Sequence, residues 1–308
     1  MIKLILTISI CSFFLIVFAP IYPVYANNAA MTYGTTVMEF SDGRFFVMGH
    51  VEGGRVGRFL VDLGASNTII APSAFSASVN MQEIDDKHLQ EIMGLRGAIT
   101  DIKGRVNLGY FKTGTIRINN IVALVVDSLR QIGDRDVSGI LGLDILGRAP
   151  CLKILMSSGR KPKYELQMGE CDESAKDSTS FDTLSIQNDY IIVPGEINGR
   201  PLSFILDTGM KNSLITAEAA GESRVILDSN FIFVYQGLDR MSDTAMAGHA
   251  SYVLLGKTRV DRVGLFVGRV PIVQGESFRT EGLIGSDILT RFRQLEIDFS
   301  NKRFRLIP

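Results

Sequence analysis

The sequence predicts an all-β chain built as two related halves that share one site. Three observations carry this. Thirty glycines, no tryptophan and many short runs of Val, Ile, Leu and Phe describe strands broken by tight turns. An apolar run ending in Asp-Xaa-Gly occurs twice, as Phe59-Leu60-Val61-Asp62-Leu63-Gly64 and Phe204-Ile205-Leu206-Asp207-Thr208-Gly209. A second apolar run ending in glycine also occurs twice, as Ile140-Leu141-Gly142 and Leu283-Ile284-Gly285.

Spacing turns these motifs into a repeat. The aspartates stand 207 − 62 = 145 residues apart, about half of the 308-residue chain. Asp62 to Gly142 is 142 − 62 = 80 residues, and Asp207 to Gly285 is 285 − 207 = 78. Such self-similarity implies two copies of one structural unit. Upstream, Gly49, Val51 and Gly53 match Gly195, Ile197 and Gly199, with one extra glycine in the first copy. Both stretches read as β-hairpins whose return strand ends at the aspartate. After each aspartate a polar loop leads into another apolar strand, at Thr68-Ile69-Ile70 and Ser213-Leu214-Ile215. Each half closes on a further hairpin, around Ser157-Ser158-Gly159 and around Ser300-Asn301.

Residues 1–26 combine Met1-Ile2-Lys3, an apolar stretch from Leu4 to Ala19, and Val24-Tyr25-Ala26. This is the three-part pattern of a secretory signal peptide, and the run is short of the ~20 apolar residues of a spanning helix. Cleavage would leave 308 − 26 = 282 residues starting near Asn27, with no membrane insertion. The expected division is a first lobe over 27–170, a polar linker over 171–180 and a second lobe over 181–308. Little helix is expected. Met81, Ile84, His88 and Ile92 recur at helix-like intervals, and Asp144 and Asp287 read as N-caps of short helices.

A net charge of −1 and a pI near 6.3 give no bias toward nucleic acid or an anionic surface. Cys11 would leave with the signal. Cys151 and Cys171 then form either one disulfide or two separate thiols, and an oxidising compartment favours the bridge. His50, His88 and His249 stand alone, and no Cys/His cluster has metal-ligand spacing.

On its paired Asp-Xaa-Gly turns and paired apolar-Gly segments, the chain resembles the pepsin- and retropepsin-like aspartic peptidases. The resemblance spans nearly all of the mature chain. Its compact halves are more similar to a bacterial retropepsin-type protein fused in tandem than to a large eukaryotic pepsin. It implies a bilobal fold of two pseudo-symmetric β-barrel-like lobes with a cleft between them, and Asp62 and Asp207 as the catalytic dyad. Gly64, Thr208 and Gly209 would shape the dyad loops, and Ala65, Ser66, Met210 and Lys211 would line the cleft. Substrate would lie extended under a glycine-containing hairpin flap. Met93-Gly94-Leu95-Arg96-Gly97-Ala98 stands at that place in the first half, and Tyr235-Gln236-Gly237-Leu238 in the second. No metal or cofactor is implied. The expected partner is a protein or peptide substrate, met by a monomer secreted across the inner membrane into the periplasm.

The pairing has its own chemical reason. Two carboxylates about 3 Å apart cannot both ionise cheaply, so they share a proton. One can act as base toward a water while the other donates to the scissile carbonyl. Two residues depart from the family pattern. Leu63 replaces the Thr or Ser whose hydroxyl braces one dyad loop against the other. Met210 replaces a small residue, and its side chain would either narrow the cleft or pack behind it. A working endopeptidase is the main reading, and a catalytically silent peptide-binding relative is the second. A purely structural envelope domain is a third, and the intact pair argues against it because needless apposed carboxylates cost stability.

Overall fold

The computed structural model describes residues 16–17, 31–76, 79–82, 92–93, 101–157, 159, 162–171, 180–236, 242–270, 274–275 and 278–308. Alternating side chains set the architecture. Along Ile102–Thr113, Ile102, Val106, Leu108 and Phe111 are buried while Lys103, Asn107 and Lys112 face water. That two-residue period is what a half-buried strand requires.

In the first half, Arg44–Val51 pairs with Gly57–Val61, which lies parallel to Gly139–Leu141. Gly139–Leu141 runs antiparallel to Ile69–Ile70, and Ile69–Ile70 parallel to Ile116–Val126. Ile116–Val126 pairs with Ile102–Thr113, which returns to Arg44–Val51 and closes a six-strand ring. The second half repeats the circuit. Tyr190–Ile197, Arg200–Leu206, Gly282–Ile284, Leu214–Ile215, Thr258–Val267 and Ser242–Leu255 pair in turn, and the last rejoins the first. The chain is thus a bilobal all-β protein with barrel-like lobes, as expected.

The hairpins that close the two halves meet in one sheet. Cys151–Ser157 pairs on one side with Lys163–Gly169 and on the other with Gln294–Asp298, itself paired with Arg303–Ile307. Cys151 and Cys171 are bridged, with Cα atoms 5.0 Å apart. One apolar core runs through both halves, from Phe45, Leu63 and Leu143 to Leu206, Leu295 and Phe304.

Two local expectations are corrected. Met81–Gln82 and Ile92–Met93, at the ends of the helix-like stretch, are strands, and 83–91 lie outside the described residues. Pairing of Met81 with Val106 on a neighbouring edge satisfies the backbone there. Asp144 and Asp287 are not N-caps. The caps of Leu143–Leu146 and Ser286–Leu289 are Gly142 and Gly285, and each aspartate sits in the first turn. Their carboxylates instead accept from the Thr68 and Ser213 hydroxyls, both at 2.7 Å.

Candidate active site

Each aspartate stands at the end of a strand held on both flanks. The Asp62 N–H donates to the Leu141 carbonyl at 3.1 Å, and the Asp207 N–H to the Ile284 carbonyl at 3.0 Å. The apolar-Gly segment therefore threads beside the aspartate loop. Just beyond it, Leu143 N–H donates to the Ala65 carbonyl at 2.8 Å and Ser286 N–H to the Met210 carbonyl at 2.9 Å. The repeat seen in the sequence is a repeat of hydrogen bonds.

The two loops bring their carboxyl groups together. Asp62 and Asp207 lie within mutual hydrogen-bonding reach, and both are buried, at 6% and 1% exposure. Gly64 N–H donates to Asp62 Oδ1 at 2.9 Å, and Met210 N–H to Asp207 Oδ1 at 3.0 Å. Among the described residues, Asp207 Oδ2 is buried with no hydrogen-bond partner. Glycine at 209 is a steric requirement, because a Cβ there would overlap the Asp62 carboxyl. Burial raises both carboxyls above the ordinary carboxylate range, and the neighbouring Asp62 charge pushes Asp207 further up. Two carboxyls this close titrate as a unit.

Thr208 ties the loops across the lobes. Its Oγ1 accepts from Leu63 N–H at 2.9 Å and donates to the Val61 carbonyl at 2.7 Å. Its own carbonyl accepts from Ser286 Oγ at 3.2 Å. Leu63 is fully buried in the shared core and has no hydroxyl with which to reciprocate.

The chain matches the aspartyl protease family over residues 47–145 and 193–288, one segment in each half. The chain belongs to the aspartyl protease family. The solved structure of an aspartic proteinase from Irpex lacteus matches with a TM-score of 0.54 at 14% identity, covering 89% of this chain and 97% of that one. Basic 7S globulin from soybean matches with a TM-score of 0.52 at 10% identity, covering 90% and 94%. At these identities the likeness shows the fold alone. No curated protein matches the sequence.

Against the aspartyl protease pattern, the remaining predicted residues fall in three places. Ala65, Ser66 and Met210 are buried beneath the loops, at 3%, 2% and 5% exposure. Met210 packs behind the site with Tyr190, Ile205, Leu214 and Tyr235, and borders a cavity of about 20 Å³ with Phe233 and Phe266. Lys211 reaches the other lobe, where its Nζ meets Asp42 Oδ1 at 2.6 Å. Gly94 and Gly97, and Gly237 and Leu238 of the second flap stretch, lie outside the described residues.

Two side chains at the site escaped the motif reading. Arg44 is fully buried, and its Nε donates to the Gly209 carbonyl at 3.0 Å. Tyr190, 1% exposed, lies close enough to both aspartates that their charges, added to its burial, raise its phenol above the usual range. A signal for Arg44 existed: Asp42-Gly43 is a hairpin-turn dipeptide, and a lone cation follows it into an apolar strand.

Proposed function

We propose that this aspartyl protease family member is a secreted, periplasmic endopeptidase that hydrolyses peptide bonds in an extended segment of a protein substrate. The observation that carries the reading is the Asp62/Asp207 pair, buried, in mutual reach and raised above the ordinary range. In the singly protonated pair, the ionised member takes a proton from the attacking water while the protonated member donates to the scissile carbonyl. The roles exchange when the amine leaves. Burial of the pair supports this by keeping competing water from its charges.

The test is cleavage of a diverse peptide library by the mature chain from pH 3 to 8, beside Asp62→Asn and Asp207→Asn. Cleavage that vanishes in both variants supports the peptidase. A folded wild-type protein that binds peptides but cuts none supports the second reading, a silent peptide-binding relative. Leu63 favours that alternative, since it removes one bracing hydroxyl from the site.

A further inference from the structure

Equivalent two-residue turns open the first hairpin of each lobe. Asp42 and Gly43, at φ 46° and 73°, join Gly34–Ser41 to Arg44–Val51. Asn188 and Asp189, at φ 48° and 60°, join Ser185–Gln187 to Tyr190–Ile197. Ser41 pairs with Arg44 and Gln187 with Tyr190, so Arg44 and Tyr190 hold equivalent positions. The second half places a phenol there, and the first half places a cation.

A fully buried guanidinium is costly unless its donors are used. Arg44 Nη1 donates to the Asp42 carbonyl at 3.1 Å and to Asp42 Oδ2 at 2.9 Å. The other Asp42 oxygen accepts from Lys211 Nζ. The Lys211 stem packs onto Gly43, where a Cβ would collide with it. Arg44 Nε closes the circuit on Gly209. The chain Lys211, Asp42, Arg44, Gly209 thus starts and ends in the dyad loop of the opposite lobe.

The Gly209–Met210 peptide has two ends in use. Its carbonyl accepts from Arg44, and its N–H, that of Met210, donates to Asp207 Oδ1. A cation on the carbonyl polarises the peptide and strengthens the donor at its other end. We propose that Arg44 is a positioning residue for the Asp62/Asp207 pair. Clamped by Asp42, it fixes and polarises the Gly209–Met210 peptide so that Met210 N–H stabilises the ionised form of Asp207. It also supplies bracing between the lobes that Leu63 cannot. The inference rests on the reading of Asp62 and Asp207 as a working pair. Among the described residues, the titratable groups that bear on the pair are the two carboxyls themselves and Tyr190, itself influenced by Asp189, while Asp42 and Lys211 are the charged partners on the Arg44 side.

The test is a carbon-13 NMR titration of the aspartate carboxyls in the mature protein. Wild type is compared with Arg44→Met, Arg44→Gln and Arg44→Lys, and with Arg58→Met, a half-buried arginine paired to Glu39, as control. The pair's midpoint is expected to rise by about one pH unit in Arg44→Met. It should rise similarly in Arg44→Gln, which keeps a donor without the charge, less in Arg44→Lys, and not at all in Arg58→Met. A folded Arg44→Met with an unmoved midpoint overturns the proposal. If Arg44→Met does not fold, equal midpoints in Arg44→Lys and Arg44→Gln overturn it. The readout is a carboxyl titration, so a chain that cuts no peptide, which would defeat the peptidase reading, still reports on Arg44. Where peptides are cut, the acid limb of kcat/KM should move with the midpoint.

Discussion

Thr208 holds Leu63 by its backbone: one hydroxyl accepts from Leu63 N–H at 2.9 Å and donates to the Val61 carbonyl at 2.7 Å, both across the lobe boundary. The brace is one-sided, because the position that should answer Thr208 carries an apolar side chain. Thr208→Val keeps the shape and deletes both bonds, leaving a buried N–H and a buried carbonyl without this partner. The expected cost is about 2–4 kcal/mol in urea unfolding. A loss of a few tenths would mean the lobes are held elsewhere.

Leu63→Thr and Leu63→Val both shrink a fully buried side chain, each at about 1–3 kcal/mol. They differ only in whether a hydroxyl is available to the Thr208 loop. The Leu63→Thr variant should be at least as stable as Leu63→Val, and faster in peptide cleavage than wild type. If Leu63→Thr is the less stable of the two, the hydroxyl has found no partner and the reciprocal brace is not latent in this fold.

For the pair itself, Asp62→Asn or Asp207→Asn should each lower kcat/KM on the order of 10³-fold. The double variant should lose little more, since the two carboxyls act as one device. Losses that multiply would point to independent roles. Burial raises both carboxyls, and a raised group stabilises the fold below its unfolded pKa and loses that contribution as pH rises through the folded value. Asp207→Asn should therefore melt above wild type at pH 7, with the gap closing toward pH 3.

Asp144 gives a second, separable pH effect. Burial pushes its carboxyl from 3.8 up to about 6, against the opposing hydrogen bond from Thr68 and the Arg148 charge. Its contribution is full below pH 3.8 and is lost as pH rises through about 6. Because the residue is only half-buried, we expect about 1–2 kcal/mol across that window. Asp144→Asn should flatten this part of the stability profile without moving the activity profile. An unchanged stability slope between pH 4 and 6 would assign it to other groups.

The Cys151–Cys171 bridge closes a loop of 20 residues beside the sheet that joins the two halves. Replacing both cysteines by serine should lower stability by about 3 kcal/mol through the freedom restored to the unfolded chain. Calorimetry of the oxidised and doubly substituted proteins reads this directly.

Much of the design was open to inspection as sequence. The duplicated strand, loop and apolar-Gly segments dictate their own local pairing, and the same hydrogen bonds recur 145 residues apart at Asp62 and Asp207. Thr208 and Leu63 could be picked out as brace and missing brace. The disulfide was one of two open alternatives, and only the 5.0 Å approach of the Cα atoms selects it. The N-cap reading of Asp144 and Asp287 failed because threading beside the dyad loop puts glycine at the cap and turns each carboxylate toward a hydroxyl of the loop.

The main strands of each half and their duplication were legible in the sequence alone, because strand periodicity, turn residues and repeat spacing are local properties. The tertiary structure decided what crosses between the halves. Arg44 on Gly209, Lys211 on Asp42 and Tyr190 beside the pair join residues that carry no mark of one another in sequence. Their partners exist only once two lobes are packed together, and that packing buries the two carboxylates far enough from water to raise them.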